Sequence, residues 1–535
     1  MSDRPDSLGT SYVFPDLYEA SIEGLRIGLS GSHFTSVDLV KAYLTRIHEV
    51  NDEIHAVIET NEQALKFAES LDLERTAGKS RGVLHGIPII VKDNITALSD
   101  GMETTSGSYA LVGSIAPRDA HVITLLRDAG AIILAKSNLS EWSYFRGRPG
   151  EMPGGWSGRG GQGSNPFLKG AGPSGSSHGS AACAAVGLAA ATLGTETDGS
   201  ITSPSRLHNI VGIKPTVGLT SRSGVIPVSE YQDTVGPMCR SVADATVILQ
   251  VIAGKDNRDP FTEAQPSVVP DYTAALGHRD LEGLRIGVPW GAFKDGDFIK
   301  DWPGVIEAFK EALEVLSALK AIVVEPADFK ELQELTDYKI EMHCLTVEFK
   351  HCINTYLKEL VHVPTGVRTV SDIINFNNAH PGEEKPPGYE TQYRLEEADK
   401  TAGYEQYPYQ QCRKRRRELG RELAIDYALE KNNVDALVFP SLSETVVSAA
   451  AIAGYPVITV PLGFAPDDTP LGKEKPMPNS GPGVPFGIGF TGTAFSESTL
   501  IKVAHAFEQK TKHRLRKRAY EAATPRTQMR DVKNS

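Results

Sequence analysis

The sequence predicts an α/β fold around a buried, largely parallel sheet, and three observations carry that expectation. From Pro15 to Ala68 apolar residues recur three and four apart, which is helical spacing. A short, mostly β-branched run from Ile87 to Val91 follows, bounded by glycine and polar residues, as in a strand covered on both faces. Helix and strand patterns then alternate, AHVITLLRDAG before AIILAKSN, the order that parallel-sheet folds produce.

Taken in chain order, LYEASIEGLRIGL and SVDLVKAYLTRIHEVNDEI read as helices, the second capped at Thr35 and Ser36 with an acid in its first turn. Pro88 fits the strand only near its start. Between Gly147 and Gly175 glycine and proline dominate without apolar period, which reads as a packed functional loop. SAACAAVGLAAATLGTETDG begins with small residues suited to a tightly packed helix. Ile210 to Lys214 and TVGLTSRSGVIPVS suit short strands and turns, and Ser241 to Ala253 a capped helix. From about 270 to 431 the chain is more polar and helical. Its basic run, Arg413 to Arg417, reads as a solvated helix face balanced by Glu418, Glu422 and Asp426. VDALVFPS and AAIAGYPVITVPLGF restore the strand signal, TLIKVAHAFEQKTKHR is a helix, and the last twenty residues read as frayed.

The 535 residues would suggest about three or four domains on length alone. A hydrophobic fraction of 40% and a charged fraction of 23% are ordinary for a globular protein. The net charge of −12 argues against a nucleic-acid partner, because phosphate contacts need a basic surface. Cys183, Cys239, Cys344, Cys352 and Cys412 are odd in number and lack zinc spacing, so reduced thiols in a cytoplasmic protein and no metal are expected. Neither a signal peptide nor a run of the roughly 18 apolar residues that a membrane span needs is visible.

Chemistry concentrates in two serine-bearing loops. In GPSGSSHGS, Ser177 sits in G-x-S-x-G, the pattern of a hydrolase nucleophile elbow. An elbow needs a buried strand before it, which FLKGAGPSG is not, and a later histidine; His208, His343, His351 and His380 offer no fitting context. The second loop is LGTETDGSITSPS. Its small-residue turn Thr197-Asp198-Gly199-Ser200 can aim successive backbone amides at one oxygen, with Ser200 placed to attack a carbonyl beside them. A base for Ser200 is available in Lys92, at the end of the apolar strand IPIIV, where burial lowers its pKa toward neutrality. Lys92 as base, Ser176 or Ser177 as relay and Ser200 as nucleophile form a workable triad.

These residues lie in text that resembles the amidase signature family, and within it the peptide amidase-like branch. HGIPIIVKDNI carries the lysine motif, and AKSNLSEWSYFRGR resembles K-T-N-L-S-E-W. SGSSHGSA matches G-G-S-S-G-G-S-A, and LGTETDGSITSPS the nucleophile loop. The likeness runs from about Leu17 to Arg514 and is weakest in the middle third. It implies Ser200 as nucleophile, Ser176 as relay behind a cis Gly175–Ser176 bond, and the amides of Thr197, Asp198, Gly199 and Ser200 as oxyanion hole. Ser177 and Ser180 would support them from behind. Trp142, Tyr144, Phe145, Tyr231 and Gln232 are candidates for the pocket wall. Ser174, His178, Asp198, Thr202 and Ser205 depart from the commonest family pattern, and His178 is expected to point away from the site.

The resemblance further implies one α/β/α domain over 15–515 around a large mixed sheet, wrapped by N-terminal helices. The helical segment of about 270–431 would be peripheral and wall the substrate site, with 1–14 and 516–535 flexible. The expected reaction is hydrolysis of a carboxamide, the C-terminal amide of a peptide or an amino-acid amide, without metal or organic cofactor. The chain would act as a monomer or homodimer, without nucleic acid or membrane. A component of a tRNA-dependent amidotransferase and a non-catalytic scaffold are the alternatives.

Overall fold

The computed structural model describes residues 12–148, 150–294, 302–405, 407–473 and 477–533. Thirteen strands occur among them. They are β1 (Val57–Thr60), β2 (Pro88–Lys92), β3 (Ile132–Ser137), β4 (Trp156–Ser157), β5 (Gly161–Gln162), β6 (Ala191–Glu196) and β7 (Val211–Lys214). Then follow β8 (Thr234–Cys239), β9 (Arg285–Gly287), β10 (Ile322–Val324), β11 (Ala436–Pro440), β12 (Val457–Phe464) and β13 (Pro485–Thr491). β4 and β5 form a small hairpin inside the Gly/Pro-rich loop; the other eleven make one sheet in the order β1-β3-β2-β6-β8-β7-β12-β13-β11-β9-β10.

The sheet is mixed, not largely parallel. β3, β2 and β6 run together beside the antiparallel edge strand β1, and β11, β9 and β10 run together at the other end, while the pairs between the two groups are antiparallel. The alternation near the N-terminus was a true signal of the first parallel group only. β6 is a strand that the sequence hides: ATLGTE follows an alanine-rich helix, His178–Val186, which stops because Gly187 takes a left-handed turn at φ 71°. The segment TVGLTSRSGVIPVS, expected to hold short strands, makes turns and isolated bridges. The polar middle segment is helical but also supplies β9 and β10, which extend the main sheet.

β2, β3, β6, β7, β8 and β11 are buried at every position, which is why their sequences do not alternate. The helix Ser36–Ile54 starts where its capping signal predicts. Thr35 Oγ1 accepts from the Asp38 amide at 3.1 Å, and Asp38 accepts in return from the Thr35 amide at 2.8 Å.

The C-terminal stretch expected to fray is docked instead. Arg46, buried on that helix, donates to the Gly187 carbonyl at 2.7 Å, the Val186 carbonyl at 3.0 Å and the Thr527 carbonyl at 2.6 Å. Gln528 Oε1 accepts from the Leu17 amide at 2.8 Å. At the other end, residues 1–11 of the segment expected to be flexible lie outside the described ones, while Tyr12 stacks on His33 at 3.6 Å. Arg46→Ala is expected to cost about 3 kcal/mol, because it strands several buried carbonyls at once. Urea unfolding of the full chain checks this, and a loss below about 1 kcal/mol would mean that the tail's anchorage lies elsewhere.

Candidate active site

The site lies where β2 and β6, running parallel, end side by side, and where β8, antiparallel to β6, begins. Val91 pairs with Leu193 and Thr234 with Glu196, so Lys92, Thr195 and the residues just before Thr234 share one edge of the sheet. Such an edge, where chain direction switches, is a natural site for a ligand.

Lys92 is fully buried, with Nζ 2.7 Å from Ser176 Oγ, 2.9 Å from Thr195 Oγ1 and 3.3 Å from the Thr195 carbonyl. Burial lowers its pKa from 10.5 to about 7, against the opposing pull of Asp233 and Glu196. A neutral amine has two N–H donors and one lone pair, and these three partners suit it: two oxygens of Thr195 to receive and a serine hydroxyl to give.

The Gly175–Ser176 bond is cis. A Cβ at position 175 would come within 2.3 Å of Ser140 Oγ, so only glycine fits there. The Ser176 carbonyl accepts from the Ser140 amide at 3.0 Å, and the Ser177 amide donates to the Ser200 carbonyl at 3.1 Å, tying the two serine loops together. Ser177 Oγ donates to the Thr195 carbonyl at 2.9 Å. Ser180 Oγ lies 2.7 Å from Ser137 Oγ and donates to the Leu193 carbonyl at 2.8 Å. Both hydroxyls are spent fastening the Ser176 loop to strand backbone beneath it.

In the second loop Gly199 has φ 75°, a conformation that favours glycine, and turns the chain between Asp198 and Ser200. None of the described residues accepts from the amides of Asp198 and Gly199. Glu196 holds the far side of the turn: its Oε2 accepts from the amides of Ile201 at 2.6 Å and Thr202 at 2.8 Å, and Thr202 Oγ1 lies 3.2 Å away. This explains the threonine at 202. Ser205 packs where a Cβ on Gly212 would intrude, and its hydroxyl has no partner.

His178 is fully buried, and burial drives its pKa down to about 3, so the imidazole is neutral. The pocket candidates divide. Trp142 and Phe145 are buried in an apolar cluster with the helix Lys339–Glu359, and Phe145 stacks on Phe349 at 4.4 Å, so they are core. Tyr231 turns outward, its hydroxyl accepting from Arg413 at 2.7 Å. Gln232 is fully buried under the Thr197–Ser200 turn. Tyr144, half-buried like Tyr231, is held by a bond from Arg394 to its carbonyl at 2.9 Å.

Several partners escaped the sequence. Thr195, Glu196, Asp233 and Ser140 sit inside or beside the motifs, but nothing in their spacing says which atoms they hold. Arg416 lies in the basic run read as solvated, yet it is buried in a two-bond contact with Glu348. None of the helices among the described residues is long and apolar enough to cross a membrane.

Three comparisons extend this picture. The family model described as Amidase matches residues 38–501. A protein of Arthroderma benhamiae named "Putative amidase" is 41% identical over 521 residues, covering 93% of this chain and 86% of the other. The structure of native peptide amidase from Stenotrophomonas maltophilia superposes with a TM-score of 0.82 at 40% identity, over 95% of this chain and 99% of that one. A glutamyl-tRNA(Gln) amidotransferase component from Chloroflexus aurantiacus is more distant, at 32% identity over 93% of this chain and 97% of its own.

Proposed function

The chain belongs to the amidase family, and on that premise we propose that it hydrolyses the C-terminal amide of a peptide or an amino-acid amide to a carboxylate and ammonia. The observation that carries the catalytic part is the buried Lys92 amine bonded to Ser176 in a loop that is itself bonded to the Ser200 carbonyl.

The steps follow from that arrangement. Neutral Lys92 takes the Ser176 proton as Ser176 takes that of Ser200, and Ser200 Oγ forms a bond to the amide carbon. The negative charge moves to the carbonyl oxygen, which the backbone amides of the Thr197–Ser200 turn receive. The proton returns through Ser176 to the amide nitrogen, the C–N bond breaks and ammonia leaves. Water then attacks the acyl-enzyme by the same proton path, freeing the carboxylate and Ser200. The peptide-amide substrate class rests on the likeness to the Stenotrophomonas enzyme.

The purified chain alone, given an N-acylated dipeptide amide, is expected to release one ammonia per carboxylate formed. Ammonia release only with a partner chain and glutamine would favour the amidotransferase reading instead. Silence on all amides together with no serine labelling would leave a scaffold.

A further inference from the structure

Glu341 lies outside the serine and lysine motifs, in the first turn of the helix Lys339–Glu359. Its carboxyl is nevertheless hydrogen-bonded to that of Asp198, in the turn between β6 and Ser200. Carboxylates only accept, so a bond between two of them requires a proton held in common. Their other atoms are accounted for. Ser448 Oγ donates to Asp198 Oδ2 at 2.6 Å, and Gln232 Nε2 donates to Glu341 Oε1 at 2.7 Å.

Gln232 is the hinge of the arrangement. Its Nε2 also reaches the Thr197 carbonyl at 3.3 Å, and its Oε1 accepts from Arg416 Nη1 at 2.8 Å. Arg416 is in turn fixed by Glu348, about two helix turns beyond Glu341. The turn that presents Ser200 is therefore gripped at two successive residues, Thr197 and Asp198, by side chains anchored in the middle helical segment.

We propose that Glu341 is a positioning residue for the reaction: through the proton it shares with Asp198 it holds the turn whose amides receive the oxyanion, so the middle segment is a working part of the site. The inference rests on Ser200 being the nucleophile. It sets an alkaline limit on the site, because losing the shared proton leaves two carboxylates face to face and pushes Asp198 away. Burial raises both carboxyls; the charge of Glu341 raises Asp198 further, while the hydrogen bond from Asp198 favours the ionised form of Glu341. Arg416 and Arg394 favour ionisation, while Glu196, Glu348 and Glu444 oppose it; the half-buried Tyr338 phenol stands in the same field.

Glu341→Gln separates the proton from the contact. A glutamine can accept from Gln232 through its oxygen and donate to Asp198 through its NH2 at any pH. The test is the rate at which a fluorophosphonate labels the full-length chain between pH 6 and 10, with the adduct located by mass spectrometry. Glu341→Ala is expected to slow labelling of Ser200 by about tenfold or more, bounded above by the roughly 10²–10³-fold loss of an oxyanion donor. Glu341→Gln should keep the rate of the unaltered chain at pH 7 and lose its alkaline fall. Should Glu341→Ala fail to fold by thermal melting, Glu341→Gln and Asp198→Asn decide by their pH profiles. Labelling of Ser200 in Glu341→Ala at the unaltered rate, or an alkaline fall unchanged in Glu341→Gln, overturns the inference while leaving Ser200 as nucleophile. An adduct on a residue other than Ser200 overturns both.

Discussion

Ser200→Ala is expected to lower kcat for amide hydrolysis by about 10⁴-fold or more, with the protein still folded. The size follows from what is lost. Without Oγ no acyl bond forms, and the remaining amides and the lysine have no nucleophile to serve. Ser177→Ala makes the informative contrast, because Ser177 stands in the G-x-S-x-G pattern. Its hydroxyl is committed to the Thr195 carbonyl, so its removal should cost about tenfold or less, through loosened strand backbone. Ammonia release under single-turnover conditions measures both. A dead Ser177→Ala beside an active Ser200→Ala would reverse the assignment and reopen the search for a histidine base.

How far the sequence reached can be judged on particular residues. The meeting of Lys92 with the two serine loops was legible because a lysine closing an apolar strand is out of place there, and because the loops of Ser176 and Ser200 carry dense, ordered motifs. Asp198 was visible as a departure, but its partner Glu341 is 143 positions away and on a helix with no motif of its own. Gln232 was picked out as a pocket residue, when its part is to bridge that helix and the turn. Trp142 and Phe145 were drawn to the pocket by their place in a motif, but burial against Phe349 is a tertiary fact that no local pattern encodes. The same limit hid β6. Alanine-rich text continues unbroken from helix into strand, and only the left-handed turn at Gly187 divides them. The docked C-terminus was missed for the opposite reason: its sequence is polar, and the grip comes from the distant Arg46.

Lys92→Met should abolish activity and yet stabilise the protein, and the sign of both effects comes from one shift. The catalytic role needs an unprotonated amine, so kcat/KM should rise about tenfold per pH unit below a pKa of about 7 and level above it, up to the alkaline limit that the Asp198–Glu341 pair sets. Lys92→Arg should not restore activity, because a guanidinium stays charged throughout. For stability, the unfolded chain holds the lysine proton up to about 10.5 while the folded chain releases it near 7. Between those values the unfolded state binds more protons, so lowering the pH favours unfolding until about 7, where the effect is complete. A gap from 10.5 to about 7 costs on the order of 4 kcal/mol at neutral pH. Methionine removes that cost but strands the oxygens of Ser176 and Thr195, at about 2 kcal/mol, leaving a net gain on the order of 2 kcal/mol. Urea unfolding at pH 6.5 and at pH 10 reads the difference directly. The advantage of Lys92→Met should shrink as the pH rises, since the unfolded lysine then approaches its own neutral form. A constant advantage would mean that methionine simply packs better, and a loss at both pH values would mean that Lys92 is buried as a satisfied cation, unfit to act as a base.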